Sequence, residues 1–230
     1  MILVSPDYGC SVEMARIVAC LSVPQIFLRP RDSGKLADDA KAQYAHEDGD
    51  HLTFLHAFVA YESTPMNERK KYCWENFLNE RSLQSAANVC RQLEGIMSKL
   101  QLPLVSCENN RRKHESQFSY DYTSIRKALT AGMFLQVAYK ERTGDYKTIK
   151  DNQIVSIHPS SVLTSKPQWV LFEEFALTTK NYIRTVTTTM VEWLIELAPH
   201  YFDLENFPEC EAKAELELAY RRRARYHSKT

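Results

Sequence analysis

The hydrophobic pattern of this chain changes period once, and that change limits what the chain can fold into. Between about residue 10 and residue 100, apolar side chains recur every three to four positions, as on one face of a helix. Between about residue 131 and residue 189 they alternate with polar residues or gather in short β-branched blocks, as in strands. One segment cannot satisfy both periods, so two architectures must follow each other. The expected class is α+β: a helical bundle, then a five-stranded barrel of the oligonucleotide-binding (OB) type, then a helical C-terminal tail.

In the first part, Ser11 is positioned to cap a helix carrying Met14, Ile17, Val18 and Leu21, which Pro24 ends. LADDAKAQYAH reads as a second helix. Asp50 is expected to cap a third, HLTFLHAFVAY, with Leu52, Leu55, Phe58 and Val59 as its stripe. NERKKYCWENFL should bury Tyr72, Cys73, Trp74, Phe77 and Leu78 in part. Ser82 then caps the most regular segment, SLQSAANVCRQLEGIMSKL. Arg81, just before that cap, is either a surface charge or a phosphate contact beside a helix N-terminus. His46 and His51 have a spacing that hints at a metal. The glycine between them puts the rings on different elements, which favours a hydrogen-bonding role.

Between residues 103 and 117 the periodicity disappears, and ENNRRKHESQ is polar throughout. This predicts an exposed, protease-sensitive link over residues 105–118, with Arg111, Arg112 and Lys113 as a small basic cluster that is more often solvated than bound to nucleic acid. The expected domains are residues 1–118, 119–200 and 201–230. After a short helix, YTSIRKALTAG, five β-like segments follow: AGMFLQVAY, YKTIK, QIVSIH, WVLFEEF and YIRTVTTT. Turn signals at Thr143-Gly144-Asp145, Asp151-Asn152 and HPSS separate them. VEWLIELAPHYF and ECEAKAELELAYRRRARY read as closing helices. In the last, glutamates precede arginines in the order the helix macrodipole prefers.

WVLFEEFALTTKNYIRTVTTT reads as two strands joined over residues 178–181. The joint carries Thr178, Thr179, Lys180, Asn181 and Tyr182, followed by Arg184. Hydroxyls, an amide, cations and an aromatic ring on one turn can hold a phosphate backbone and stack a base, but a solvated hairpin tip has the same composition. The HPSS turn adds His158, Ser160 and Ser161 as a neighbouring polar rim. The expected set of nucleic-acid contacts is thus His158, Ser160, Ser161, Lys180, Asn181, Tyr182 and Arg184, with Arg81 on the helical side. Arg184 carries the further alternative of a structural ion pair within its strand.

Composition removes several functions. The 29 basic and 29 acidic side chains cancel, so nucleic-acid binding must be local rather than steered by a global field. No apolar run approaches the about 20 residues of a membrane span and the start lacks a signal core, which predicts an intracellular protein. The 6 cysteines contain no C-x-x-C pair, so most of them read as reduced core thiols. With 6 glycines and no phosphate-cradling loop, the chain is expected to bind no nucleotide cofactor and to show no ATPase activity alone.

HEDGDHLTFL, CWENFLNERSL, IRKALTAGMFLQVAY, VSIHPSSVL and LTTKNYIRTVTT, in that order, resemble the C-terminal region of the DEAH-box ATP-dependent RNA helicases. The resemblance runs from Leu3 to about Lys213. The tail LAPHYFDLENFPECEAK looks most like the G-patch-activated branch, which works in pre-mRNA splicing, spliceosome disassembly and ribosome biogenesis. The resemblance implies a helicase-associated ratchet domain followed by an OB-fold, together holding single-stranded RNA. It also implies a nuclear, including nucleolar, location, and a parent protein whose RecA-like motor and winged-helix domains use ATP and Mg²⁺. The chain has no Walker A loop, no D-E-A-H box and no arginine-finger motif, and it starts inside what would be ratchet sequence. It is therefore expected to be a C-terminal fragment or a partial gene product. The alternative function is a docking platform for activators such as G-patch proteins.

Overall fold

The computed structural model describes residues 1–108, 119–178, 180–205 and 207–227, with residues 226 and 227 described by backbone alone. It forms two compact units, Met1–Ala128 and Leu129–Thr230. The boundary expected at residue 118, and the basic cluster Arg111, Arg112 and Lys113, lie outside the described residues.

The first unit holds α1 (Ser11–Leu21), α2 (Gly34–Ala42), α3 (Asp50–Ser63), α4 (Arg69–Glu75), α5 (Glu80–Lys99) and the start of α6 (Tyr122–Met133). The expected helices are present, and Ala15, Ala19, Phe58, Leu83 and Ala86 from α1, α3 and α5 share one core. Their capping differs from the expectation. Ser11 and Asp50 are the first residues of α1 and α3, after Cys10 and Gly49, and neither helix has a side-chain cap. Ser82 lies inside α5, where its N–H donates to the cap residue Asn79. Asp121, unremarked in the sequence, accepts from the N–H groups of Thr123 and Ser124 and caps α6.

Residues 103–108 are not a free link. Ser11 Oγ donates to the Pro103 carbonyl (2.8 Å), Val105 N–H donates to Ser11 Oγ (2.7 Å), and Val12 N–H donates to the Val105 carbonyl (3.1 Å). The fully buried Glu13 carboxylate accepts from Ser106 Oγ (2.5 Å) and Cys107 N–H (3.2 Å). This segment supplies partners at the N-terminus of α1 that a capping side chain would otherwise give. Trp74 also departs from expectation: it is 84% exposed, because α4 turns it away from the face that buries Cys73.

The second unit is a closed barrel of β1 (Val137–Lys140), β2 (Tyr146–Thr148), β3 (Ile154–Ile157), β4 (Trp169–Leu177) and β5 (Asn181–Thr188), in the order β1-β2-β3-β5-β4. All neighbours are antiparallel except β3 and β5, which run parallel. The five expected strands are all present. Only AGMF, at the start of the first, belongs largely to α6, which continues to Met133. Val155, Val170, Phe172, Ile183 and Val186 fill the interior. α7 (Val191–Leu197) and α8 (Glu211–His227) complete the unit. Arg221 and Arg222 face Glu217 and Glu192, and Arg223 donates to the Ile195 carbonyl, so these three arginines are engaged within the fold.

Candidate functional site

β5 sits between β4 and β3, and its register explains how a polar cluster comes to lie on a barrel wall. Pairing with β4 runs Val170↔Thr188, Leu171↔Thr187 and Phe172↔Val186, then resumes at Glu174↔Arg184. The pair between them, Glu173 with Thr185, is missing, and Thr185 has φ 53°. That region is uncommon for any residue with a Cβ and strained for a β-branched one.

The effect is a change of face. Val186 and Ile183 both fill the barrel interior, although strict alternation would send one of them outward. Counted inward from Val186, alternation would aim Arg184 and Tyr182 at the core. The left-handed backbone at Thr185, with the β4–β5 register the same on both sides of it, gives the core position to Ile183 and turns Tyr182 and Arg184 outward, where both are half-buried. Tyr182 pairs with Ser156 on β3, which stands between the core residue Val155 and the partly buried Ile157 packed against the same core.

The HPSS turn meets these residues where β3 ends. His158 N–H donates to the Ile183 carbonyl (3.0 Å), which fixes the turn against β5. Its ring lies edge to face with Tyr182, the centroids 5.3 Å apart. Ser160 N–H donates to His158 Nδ1 (3.1 Å). A backbone N–H can only donate, so Nδ1 is the acceptor and the neutral ring carries its proton on Nε2. Nε2 lies 3.4 Å from Arg184 Nη2. Two donors therefore converge on one spot, an arrangement that an oxyanion would bridge.

Arg184 also faces Glu174 Oε2 at 3.7 Å, their side chains 39% and 58% exposed, so the ion-pair alternative is present as well. Its Nε–H is buried and has no acceptor among the described residues. The pair with Glu174 thus leaves part of the guanidinium's donor capacity unused.

The remaining expected residues divide by role. Ser160 and Ser161 shape the turn: Ser160 Oγ is 2.7 Å from His158 Nδ1, Ser161 N–H donates to the His158 carbonyl (2.9 Å), and Ser161 Oγ accepts from Leu163 N–H (3.3 Å). Asn181 Nδ2 donates to the Ile154 carbonyl (3.4 Å), tying β5 to β3. Lys180 is exposed at the hairpin tip, which Thr178 stiffens by donating to the Lys180 carbonyl (2.9 Å). Thr179 lies outside the described residues. Arg81 is exposed in the first turn of α5, behind Glu80, and belongs to the other unit. Among the described residues no group of three or more His, Cys, Asp or Glu could hold a metal ion. No described helix is long and apolar enough to cross a membrane.

Sequence reasoning did not single out Glu174 or Thr185. Acidic residues within a strand gave a signal for the first. Nothing signalled the second, because threonine belongs in strands and its left-handed backbone leaves no mark on the alternation.

These features define a two-domain chain with a helical module followed by an OB barrel that carries a polar cluster on its wall. Comparison with protein-family models agrees in both halves. Residues 1–54 match the helicase associated domain (HA2), ratchet-like, and residues 125–201 match the oligonucleotide/oligosaccharide-binding (OB)-fold family. The two together are typical of the C-terminal region of DEAH-box helicases.

Proposed function

We propose that this chain is the RNA-holding C-terminal region of a DEAH-box ATP-dependent RNA helicase and that its barrel grips the backbone of single-stranded RNA without reading sequence. The observation that carries the reading is the convergence of His158 Nε2 and Arg184 Nη2, 3.4 Å apart beside the Tyr182 ring. Two donors can bind a phosphate oxygen or a 2′-OH, and the ring offers a base a stacking surface. Lys180 adds an exposed cation at the hairpin tip, while Asn181, Ser160 and Ser161 hold the two loops in place.

ATP and Mg²⁺ belong, in this proposal, to the motor domains of the parent protein. The tail motif supports the finer reading: a G-patch-activated helicase of splicing and ribosome biogenesis, working in the nucleus. One observation favours the second reading, a platform for activator proteins: Trp74 and Met66 are 84% and 83% exposed on the helical unit.

Titrating labelled oligouridine at several salt concentrations tests the first reading. Replacing Lys180 and Arg184 together by alanine should weaken binding uniformly across sequences and flatten the slope of log affinity against log salt by about 1 to 2 units. An unchanged slope in a folded double mutant would remove both residues from the interface. A G-patch peptide that binds the chain while RNA does not would favour the platform.

A further inference from the structure

Beside the His158 turn the barrel has a cleft of about 270 Å³, open on one side and formed between the β1–β2 loop and the segment after β3. Its lining includes Tyr146, Val155 and Leu163, which are 3%, 1% and 8% exposed. The Tyr146 ring is fixed, because its hydroxyl donates to the Pro167 carbonyl (2.7 Å). Asp145, Ser165 and Lys166 stand on the exposed rim, and His158 and Ser161 line the cleft as well as the site above. The volume falls just below the about 300 Å³ at which pockets for drug-sized ligands begin. It suits one ring system, with an apolar wall to pack on and polar groups to orient it.

We propose that this cleft takes a single unstacked nucleobase bearing an exocyclic amino group, from a strand held by His158, Tyr182 and Arg184. The inference rests on the strand-holding reading and adds to it a preference at one nucleotide. Asp145 supplies a carboxylate, which only accepts; Lys166 supplies an ammonium, which only donates; Ser165 does either. That set matches cytosine, whose N4 amino group donates while N3 and O2 accept, and it opposes uracil, whose O4 would meet the carboxylate. The cleft opens beside His158, so a strand whose phosphate sits there has its base within reach without leaving the barrel.

The test uses the whole chain and three probes of equal length: oligocytidine, oligouridine and an abasic ribose-phosphate oligomer. Wild type should bind oligocytidine about a hundredfold more tightly than the abasic strand, the effect of one well-made charged hydrogen bond plus stacking. Ser165→Trp, an exposed substitution that fills the cleft, should erase that difference while leaving abasic binding unchanged. Asp145→Ala should remove the preference for oligocytidine over oligouridine. Lys180→Ala with Arg184→Ala should weaken all three probes together. Equal wild-type affinity for base-bearing and abasic strands, or a difference that survives Ser165→Trp, would overturn the base cleft and leave the backbone grip standing. Equal wild-type affinity for oligocytidine and oligouridine would overturn the role given to Asp145. Failure of all three probes to bind would overturn both the cleft and the grip.

Discussion

The helical unit and the barrel both contain histidines among polar partners, and they use them in opposite ways. In the helical unit His56 is 5% exposed, with Nδ1 3.0 Å from the Tyr44 carbonyl and Nε2 2.8 Å from the Tyr122 hydroxyl. The carbonyl can only accept, so Nδ1 carries the proton and the tyrosine donates to Nε2. Nearby Asp48 Oδ1 and Arg126 Nη1 are 2.9 Å apart, their side chains 22% and 12% exposed. The His46 ring lies tilted by 46° against the Tyr122 ring, the centroids 4.1 Å apart. These groups hold the segment before α3 against the start of α6. In the barrel, His158 lies at the surface beside a strained strand, and its ring meets another donor. An interior polar network specifies one arrangement of the chain, whereas donors converging at the surface leave room for a ligand.

The sharpest way to separate the two regions is acid. Burial pushes His56 down to about 4 and also lowers His51 and His46, so the fold disfavours the charged ring at all three. Unfolded, each would take up a proton near pH 6.5. Their contribution to stability is therefore complete above about pH 6.5 and declines as the pH falls toward about 4, with His56 alone worth on the order of 3 kcal/mol. Denaturant midpoints measured across that range should fall, and His56→Gln should flatten the decline. An acid limb unchanged in His56→Gln would mean that His56 is not kept neutral by the fold.

Asp48→Ala tests the same network from its anionic side. It leaves the mostly buried Arg126 without its carboxylate and should cost about 3 kcal/mol of unfolding free energy. Because Asp48 lies outside the barrel site, the salt slope of RNA binding should stay as in wild type. A loss under 1 kcal/mol by chemical denaturation would mean that the pair contributes no more than a surface ion pair.

The smallest effect concerns the strained strand. Thr185→Gly relieves a backbone conformation that costs about 1 to 3 kcal/mol for a residue with a Cβ, offset by glycine's entropy of about 0.5 to 1. The net should be a gain of about 1 kcal/mol. Thr187→Gly, in the same strand but fully buried, should lose about as much. If both substitutions destabilise equally, the face change at Thr185 stores no strain.

Much of this fold was legible in the residues. Alternation in QIVSIH, WVLFEEF and YIRTVTTT marks strands because neighbouring side chains on a pleated surface must point to opposite faces. The helical period of α5 survives over its 20 residues because one stripe must meet the core throughout. The hairpin turn and the HPSS turn could be chosen as candidates because their residue types are costly to bury and useful at a surface. Helix caps were less legible. Whether Ser11, Asp50 or Ser82 caps a helix depends on where the preceding chain arrives, and at α1 a segment some ninety residues later in the chain supplies the partners.

Only the tertiary structure decided which polar residues meet. Sequence put His158 and Arg184 on different turns; parallel pairing of β3 with β5 brought them to 3.4 Å. Sequence offered Arg184 as an ion pair or a ligand contact; the left-handed backbone at Thr185 turned it away from the barrel interior, leaving it beside both Glu174 and His158. Local periodicity follows from the chain's own geometry, so it is written in the order of residues. Register, backbone sign at one threonine and the cleft beside it follow from long-range pairing, for which a single strand carries no local signal.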